Sequence, residues 1–328
     1  MSAPRLLGLW SAADSDIGEA EVAIRRIRAC DPAGSLRNAA VSLVALVDDD
    51  RREARAALRT ADALGRRVPG RYIVVSTFAD RPSGTKASIK VSLVERTDTV
   101  PLCVEQVRLY VNGGALTYLS SIVEPWTLPG LPVAVWLPTR LPRRREPVVA
   151  DADHVIVDSA RLGHPLAELD LAALGEHAST DLAWIRLRPW RLLLAGAFSG
   201  ADVSPFALGI EQVDITGAKS WSTLLAGWLM SRLELLPSSI RLVDGERAGV
   251  HVQARSGGRR AEIVAEAVDA DEVHVTTTVN GNATRRHVVH LPERPLEDDL
   301  EDALRDRRGP DETWMRAAAA TIGSLEHQ

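Results

Sequence analysis

Apolar positions recur with two different periods along this chain, and the change of period divides it. Over residues 15–29, Ile17, Ala20, Ile24 and Ile27 fall on one helical face. Asp14 or Ser15 supplies a cap, and Asp31-Pro32-Ala33-Gly34 a stop. Residues 41–47 are a nearly continuous apolar run, as expected of a strand covered on both faces. Asp48-Asp49-Asp50 opens a helical pattern through Ala54, Ala57, Leu58, Ala61 and Leu64, which Pro69-Gly70 closes. Residues 72–76 form the next strand. Strand, helix and strand in close succession predict a βαβ unit around a parallel sheet.

A polar loop is expected at 79–88, then alternating strands at 87–94 and 104–111 and a turn at Asn112-Gly113-Gly114. A short helix at 116–123 and a rigid loop at 125–132 lead to a strand at 133–137. An exposed turn at 143–147 precedes another strand, 154–158, which ends in Asp158. Helical patterns cover 165–175 and 189–198, with Pro189 suited to the first turn of the second. A strand at 211–216 and a largely buried helix at 221–236 follow. Beyond Pro237 the pattern is short alternating segments, at 240–243, 250–255, 261–267, 273–279 and 283–290. Gly257-Gly258 and Asn280-Gly281 separate them, and Asn-Gly between alternating runs is a strong hairpin signal. Two polar helical patterns end the chain, Leu296/Leu300/Leu304 and Trp314/Ala317/Ala318/Thr321/Leu325. The expected fold class is therefore α/β. A mixed, Rossmann-like α/β domain spans 1–236, and a smaller α+β domain of antiparallel sheet and acidic helices spans 237–328.

Composition narrows the function. The 328 residues are 45% hydrophobic and 25% charged, which excludes disorder and fibrous repeats. Of 39 basic and 44 acidic side chains, the last 38 residues hold 5 and 10, so residues 1–290 are neutral. A neutral body has no basic face for nucleic acid, and the acidic tail repels phosphate backbones and anionic lipid. The two cysteines, Cys30 and Cys103, make neither a disulfide framework nor a Cys-x-x-Cys site. The apolar stretch at 6–10 is short and followed by Asp14, Asp16 and Glu19, unlike a signal peptide. Ser222, Thr223 and Gly227 interrupt the most apolar segment, which falls short of the ~20 residues a membrane span needs. A cytoplasmic protein is expected, with no membrane and no nucleic-acid partner.

Candidate chemistry is sparse. Neither Gly-x-Gly-x-x-Gly nor Gly-x-x-x-x-Gly-Lys-[Ser/Thr] occurs, so no nucleotide or other cofactor is expected. There is no Gly-x-Ser-x-Gly elbow, and Ser83-Gly-Thr-Lys86 runs straight into a strand pattern instead of a helix. His251, His274, His287 and His290 lack metal-ligand spacing and read as exposed strand residues. What stands out is tryptophan and arginine. Six of the eight tryptophans lie between 126 and 232, and Trp184, Arg186, Arg188, Trp190 and Arg191 crowd one short segment. Such residues either lock a core, with Asp158 and Asp181 as the natural arginine partners, or anchor a protein partner.

The segment Asp181-Leu-x-Trp184-x-Arg186-Leu-x-x-Trp190-Arg191 resembles the OpcA family. So do Leu-Leu-Ala-Gly-Trp-Leu-x-Ser-Arg-Leu at 224–233, Leu131-Pro-Val-x-x-Trp136, and Val155-Ile-Val-Asp158-Ser159 with Arg161 behind it. The resemblance covers 104–236 closely and 35–78 more loosely. It implies a non-catalytic protein without a cofactor that binds glucose-6-phosphate dehydrogenase and promotes its active oligomer. That role supports NADPH production in the oxidative pentose phosphate pathway. The residues it singles out, as partner surface or motif core, are Trp136, Asp158, Ser159, Arg161, Asp181, Trp184, Arg186, Trp190, Arg191 and Arg232. Two other readings follow from the residues alone. One is an enzyme or sensor that binds a sugar phosphate or nucleotide at Asp158, Ser159 and Arg161, at the carboxyl end of a strand. The other is a scaffold whose acidic helix (Glu297, Asp298, Asp299, Glu301, Asp302) docks a basic partner, against a solvated helix face.

Overall fold

The computed structural model describes residues 5–13, 17–29, 39–96, 99–143, 146–162, 178–306 and 311–324. Asp14, Ser15, Cys30, the stop at 31–34, the expected helix at 165–175 and Leu325 lie outside them. In chain order the elements are β1 (Arg5–Ala13), α1 (Ile17–Ala29), β2 (Val41–Asp48), α2 (Arg51–Gly65), β3 (Gly70–Phe78), β4 (Gly84–Arg96) and β5 (Thr99–Asn112). Next come α3 (Leu119–Val123), β6 (Val133–Leu137), α4 (Pro147–Ala150), β7 (His154–Val157), β8 (Ala178–Asp181), α5 (Leu182–Ala197), β9 (Ile210–Thr216) and α6 (Lys219–Leu233). The last are β10 (Ile240–Val243), β11 (Gly249–Ser256), β12 (Arg259–Ala267), β13 (Glu272–Val279), β14 (Asn282–His290), α7 (Leu296–Arg305) and α8 (Glu312–Ser324). The α/β class is as the sequence pattern predicts.

The chain forms two compact units. The first is Met1–Arg161, Ala172–Thr180 and Leu296–Gly309. Its eight-stranded sheet has the order β1-β4-β5-β3-β2-β6-β7-β8. From β5 through β3, β2 and β6 to β7 the neighbours are parallel, while β4 is antiparallel to both β1 and β5. Every residue of β3 and all but the last of β2 are buried, as their unbroken apolar runs require. β1 is an edge strand made from the stretch that sequence reading used only to exclude a leader. β4 begins inside the expected loop at 79–88, because a ladder running from Gly84 opposite Asn112 holds it extended. Arg71 is buried and shared between Glu105 at 2.9 Å, Glu21 at 3.1 Å and the Trp126 carbonyl at 3.0 Å, which ties β3 to β5, α1 and the loop after α3. α7 packs on α2 through buried Leu300, Ala303 and Leu304, and Arg67 of the α2 flank pairs with Asp298 and Glu301.

The second unit is Leu162–Leu171, Asp181–Pro295 and Pro310–Gln328. Its six-stranded sheet has the order β10-β9-β11-β12-β13-β14. β11 to β14 form the expected meander, but β10 lies at the outer edge, parallel to β9. Val250, Val252, Ala254, Ile263, Ala265, Val273 and Val275 face inward, alternating with polar residues. α6 lies against β9 and β10, and α8 packs on α6. An ideal Cβ on Gly227 of α6 would meet the Ala317 carbonyl at 2.1 Å and Thr321 Oγ1 at 2.2 Å, so glycine sets how closely these helices approach. The units divide the chain near 181, whereas the sequence pattern placed the boundary at 236, because β9 enters the sheet of the meander and α6 backs it. α5 begins at Leu182, with Pro189 inside it, so Pro189 does not open the helix as expected. Its missing N–H cannot bond the Ile185 carbonyl. The Asp181 cap and the buried apolar face carry the helix through that gap.

Candidate functional site

Two helices of the second unit start with the same four-residue pattern, and together they organise the tryptophan- and arginine-rich segment. Asp181-Leu-Ala-Trp184 opens α5, and Asp311-Glu-Thr-Trp314 opens α8. Asp181 Oδ1 accepts the Ala183 N–H at 3.0 Å. Asp311 Oδ1 accepts the N–H groups of Thr313 and Trp314 at 2.9 and 3.2 Å. These are ordinary N-caps. The second oxygen of each carboxylate reaches across. Trp314 Nε1 donates to Asp181 Oδ2 at 3.1 Å, and Trp184 Nε1 donates to Asp311 Oδ2 at 2.7 Å. Each aspartate therefore caps its own helix and holds the indole of the other. Both tryptophans are core, Trp184 at 4% exposure and Trp314 at 1%.

Arginine completes this cluster. The Arg191 guanidinium lies 3.4 Å from the Trp184 ring centroid and donates to the Trp184 carbonyl at 3.3 Å. Burial pulls the Arg191 pKa down to about 10. The Asp311 charge opposes that pull and the Arg188 charge adds to it. Buried Trp190 packs edge-on against Trp221, with centroids 5.1 Å apart. Arg186 is half-buried, while Arg188, Leu192 and Arg232 are exposed. The segment's tryptophans are thus core, and its outer side is the sparse set Arg188 and Leu192. The partner aspartate Asp311 was missed in the sequence, although a second Asp-x-x-Trp at a helix start was a legible signal.

The remaining candidates lie in the first unit. Trp136 of β6 is buried, and its Nε1 has no hydrogen-bond partner among the described residues. Asp158 and Ser159 are buried just after β7, and Arg161 Nη2 pairs with Glu53 of α2 at 2.7 Å. Connections from β2 run to β3 on one side, and the sheet continues to β6 and β7 on the other. Such a reversal is where an open parallel sheet takes a ligand, outside its carboxyl edge. Here the protein's own charges fill that edge. Asp48 Oδ1 accepts the Thr77 hydroxyl at 2.7 Å, and Oδ2 faces Arg140 Nε and Arg143 Nη2, each at 2.9 Å. Arg140 also donates twice to Glu146, at 2.8 and 2.5 Å. Burial works against the Arg140 charge, but Glu146 and Asp48 outweigh it and hold its pKa above the ordinary value.

A helix N-terminus at such an edge is a ready anion site. That of α2 is capped by its own Asp50, which accepts from Arg52 N at 2.7 Å and Glu53 N at 3.0 Å. A carboxylate already stands where a phosphate would sit, and Arg161 is engaged by Glu53. In the sequence, Asp48, Asp49 and Asp50 mark only the boundary between a strand and a helix. In the meander, His251 pairs with Glu262 at 2.6 Å and His274 with Glu272 at 2.7 Å. Among the described residues no group of three or more His, Cys, Asp or Glu could hold a metal ion. No described helix is long and apolar enough to cross a membrane.

The family model for the glucose-6-phosphate dehydrogenase subunit N-terminal domain (OpcA) matches residues 61–174, and that for the C-terminal domain matches 177–318. An OxPP cycle protein OpcA of Synechocystis is 29% identical over 198 residues, 56% of this chain and 41% of that protein. One from Nostoc punctiforme is 28% identical over 201 residues, 57% of this chain and 43% of that protein. The chain thus matches less than half the length of these relatives. Among solved structures, glucose-6-phosphate 1-dehydrogenase from Mycobacterium avium aligns with a TM-score of 0.47 at 12% identity, over 88% of this chain and 92% of that one. The 3-ketoreductase KijD10 from Actinomadura kijaniata aligns with a TM-score of 0.44 at 10% identity, over 88% of this chain and 96% of that one.

Proposed function

This chain belongs to the OpcA family of glucose-6-phosphate dehydrogenase subunits, and from that premise we propose that it is a non-catalytic partner of the dehydrogenase. It binds the dehydrogenase in the cytoplasm and favours its active oligomer, and so supports NADPH production in the oxidative pentose phosphate pathway. The observation that carries this reading is the match of both family domains along residues 61–318. The edge of the first sheet supports it, since Asp50 already occupies the α2 N-terminus and the Arg140 and Arg161 side chains that a nucleotide or sugar phosphate would use are engaged by Glu146, Asp48 and Glu53. The same feature weighs against a phosphate site at Asp158, Ser159 and Arg161. A partner that binds only the active oligomer shifts the equilibrium by its differential affinity. A hundredfold preference corresponds to about 2.7 kcal/mol.

For the docking surface, the reading favours the solvent side of α5, Arg188 and Leu192, with Arg232 at the end of α6. The buried Asp181, Trp184 and Trp190 serve as its support. The direct experiment mixes the purified protein with glucose-6-phosphate dehydrogenase from the same organism. A complex by light scattering, with higher activity or apparent substrate affinity on titration, is the expected result. Absence of both a complex and a kinetic change refutes the role. Leu192→Asp and Arg188→Glu, which leave the core intact, are expected to stay folded and lose activation. Full activation by both variants would exclude this face of α5.

A further inference from the structure

The eight-stranded sheet is covered unevenly. α1 packs on one face of β1 and β4, where an ideal Cβ on Gly8 would meet Ile27 at 2.9 Å. The opposite face of β1, β4 and β5 carries two cross-strand rows. Leu9 stands opposite Lys90, which stands opposite Gln106, and Ser11 opposite Ser88, which stands opposite Arg108. Paired residues in a ladder point to the same side of the sheet. These six side chains line one half-open cavity of about 380 Å³ beside α2.

The polar groups of the cavity are unequally engaged. Lys90 Nζ is held by both oxygens of Asp62, at 2.8 and 2.9 Å, and Gln106 donates to the Leu58 carbonyl at 2.8 Å. Arg108 differs from both. Its guanidinium lies over the Tyr110 ring at 4.6 Å, and its Nε is buried without a hydrogen-bond partner among the described residues. A buried, charged donor left unmatched is costly and uncommon in a native fold. The chain has only three lysines, and two of them, Lys86 and Lys90, stand on this face of β4, two rows apart. The local charge is positive. The rim is apolar, with Leu9 68% exposed.

We propose that this cavity is a binding site for a small organic anion, a phosphate ester or carboxylate, whose acidic group pairs with Arg108 and the Ser88 and Ser11 hydroxyls and whose body lies against Leu9. A planar guanidinium with an unmatched Nε–H suits such an oxyanion, and two hydroxyls complete the set of donors. The site is separate from the carboxylate-filled edge at Asp48 and stands independently of the dehydrogenase reading.

The test uses the full chain alone, with inorganic phosphate, glucose 6-phosphate and citrate as probes at constant ionic strength. At least one probe is expected to raise the melting temperature saturably and to give a binding isotherm. Arg108→Gln should weaken that affinity at least tenfold. Ser88→Glu places a carboxylate opposite Arg108, and should raise the melting temperature without ligand and abolish the response. Arg143→Gln, at the Asp48 edge, should bind as the parent does. A saturable response to none of the three probes overturns the proposal, as does an unchanged response in Ser88→Glu. Should Arg108→Gln not fold, Ser88→Glu decides alone.

Discussion

Asp181 and Asp311 show how much one side chain can organise. Each satisfies a helix end and a buried indole N–H with its two oxygens. A lost cap costs about 1 kcal/mol, and an indole left unpaired in the core costs about 1–3 kcal/mol more. Asp311→Ala is therefore expected to lose about 2–4 kcal/mol in urea unfolding. Adding Trp184→Phe should cost less than it does in the parent, since the orphaned donor goes with it, and strictly additive losses would refute the coupling. A second residue-scale prediction concerns pH. Partial burial works to raise the pKa of Asp214, but hydrogen bonds from Arg241 and Gln212 outweigh it and hold the carboxyl below its ordinary value. The folded state then binds this proton more weakly than the unfolded chain. Its stabilisation is fully present above the ordinary carboxylate value and is lost as pH falls below that value through the lowered one of the folded state. The stability gap between the parent and Arg241→Gln should accordingly begin to close below about pH 5 and go on narrowing beneath the ordinary carboxylate value, measured by urea midpoints. A gap that does not change with pH would contradict it.

Among the elements, periodicity located β2, α2, β3, the β11–β14 strands and α6, because each repeats one pattern over several residues against one kind of surface. It did not locate β1, which the ladder to β4 defines, and although it marked the segment of β10 it did not show that this strand leaves the meander to pair parallel with β9. The start of α5 lay seven residues upstream of Pro189, the residue that local chemistry favoured. Gly227 is an element-scale case where local propensity and packing oppose each other. Alanine improves helix propensity by about 1 kcal/mol. Its methyl group, however, would stand within 2.1 Å of the Ala317 carbonyl, so α6 and α8 must separate. Overpacking of this kind costs about 1–3 kcal/mol or more. Gly227→Ala should lower the melting temperature, and an unchanged or higher value would show that the contact relaxes freely.

At the scale of the molecule, α7 and α8 are not a free acidic tail. α7 buries Leu300, Ala303 and Leu304 in the first unit, and α8 buries Trp314, Ala317 and Ala318 in the second. Each unit thus draws on the end of the chain for its core. A protein cut after residue 294 is expected to lose cooperative thermal unfolding, as followed by circular dichroism. A truncated protein with a sharp transition near that of the parent would show that these helices are dispensable.

Sequence alone determined the α/β class, the parallel core, the meander and the family, since each follows from repeated local pattern or from motifs that stand together in the chain. It also contained both Asp-x-x-Trp starts. Tertiary structure alone decided that Asp181 holds Trp314 and that Asp311 holds Trp184, because the partners are 133 and 127 residues apart. The same holds for Arg161 on Glu53, 108 residues away, and for the ion-pair cluster at Asp48. Periodicity reports which face of an element is buried. It carries no information on which distant charge or indole fills a given place, and the roles of these residues rest on that pairing.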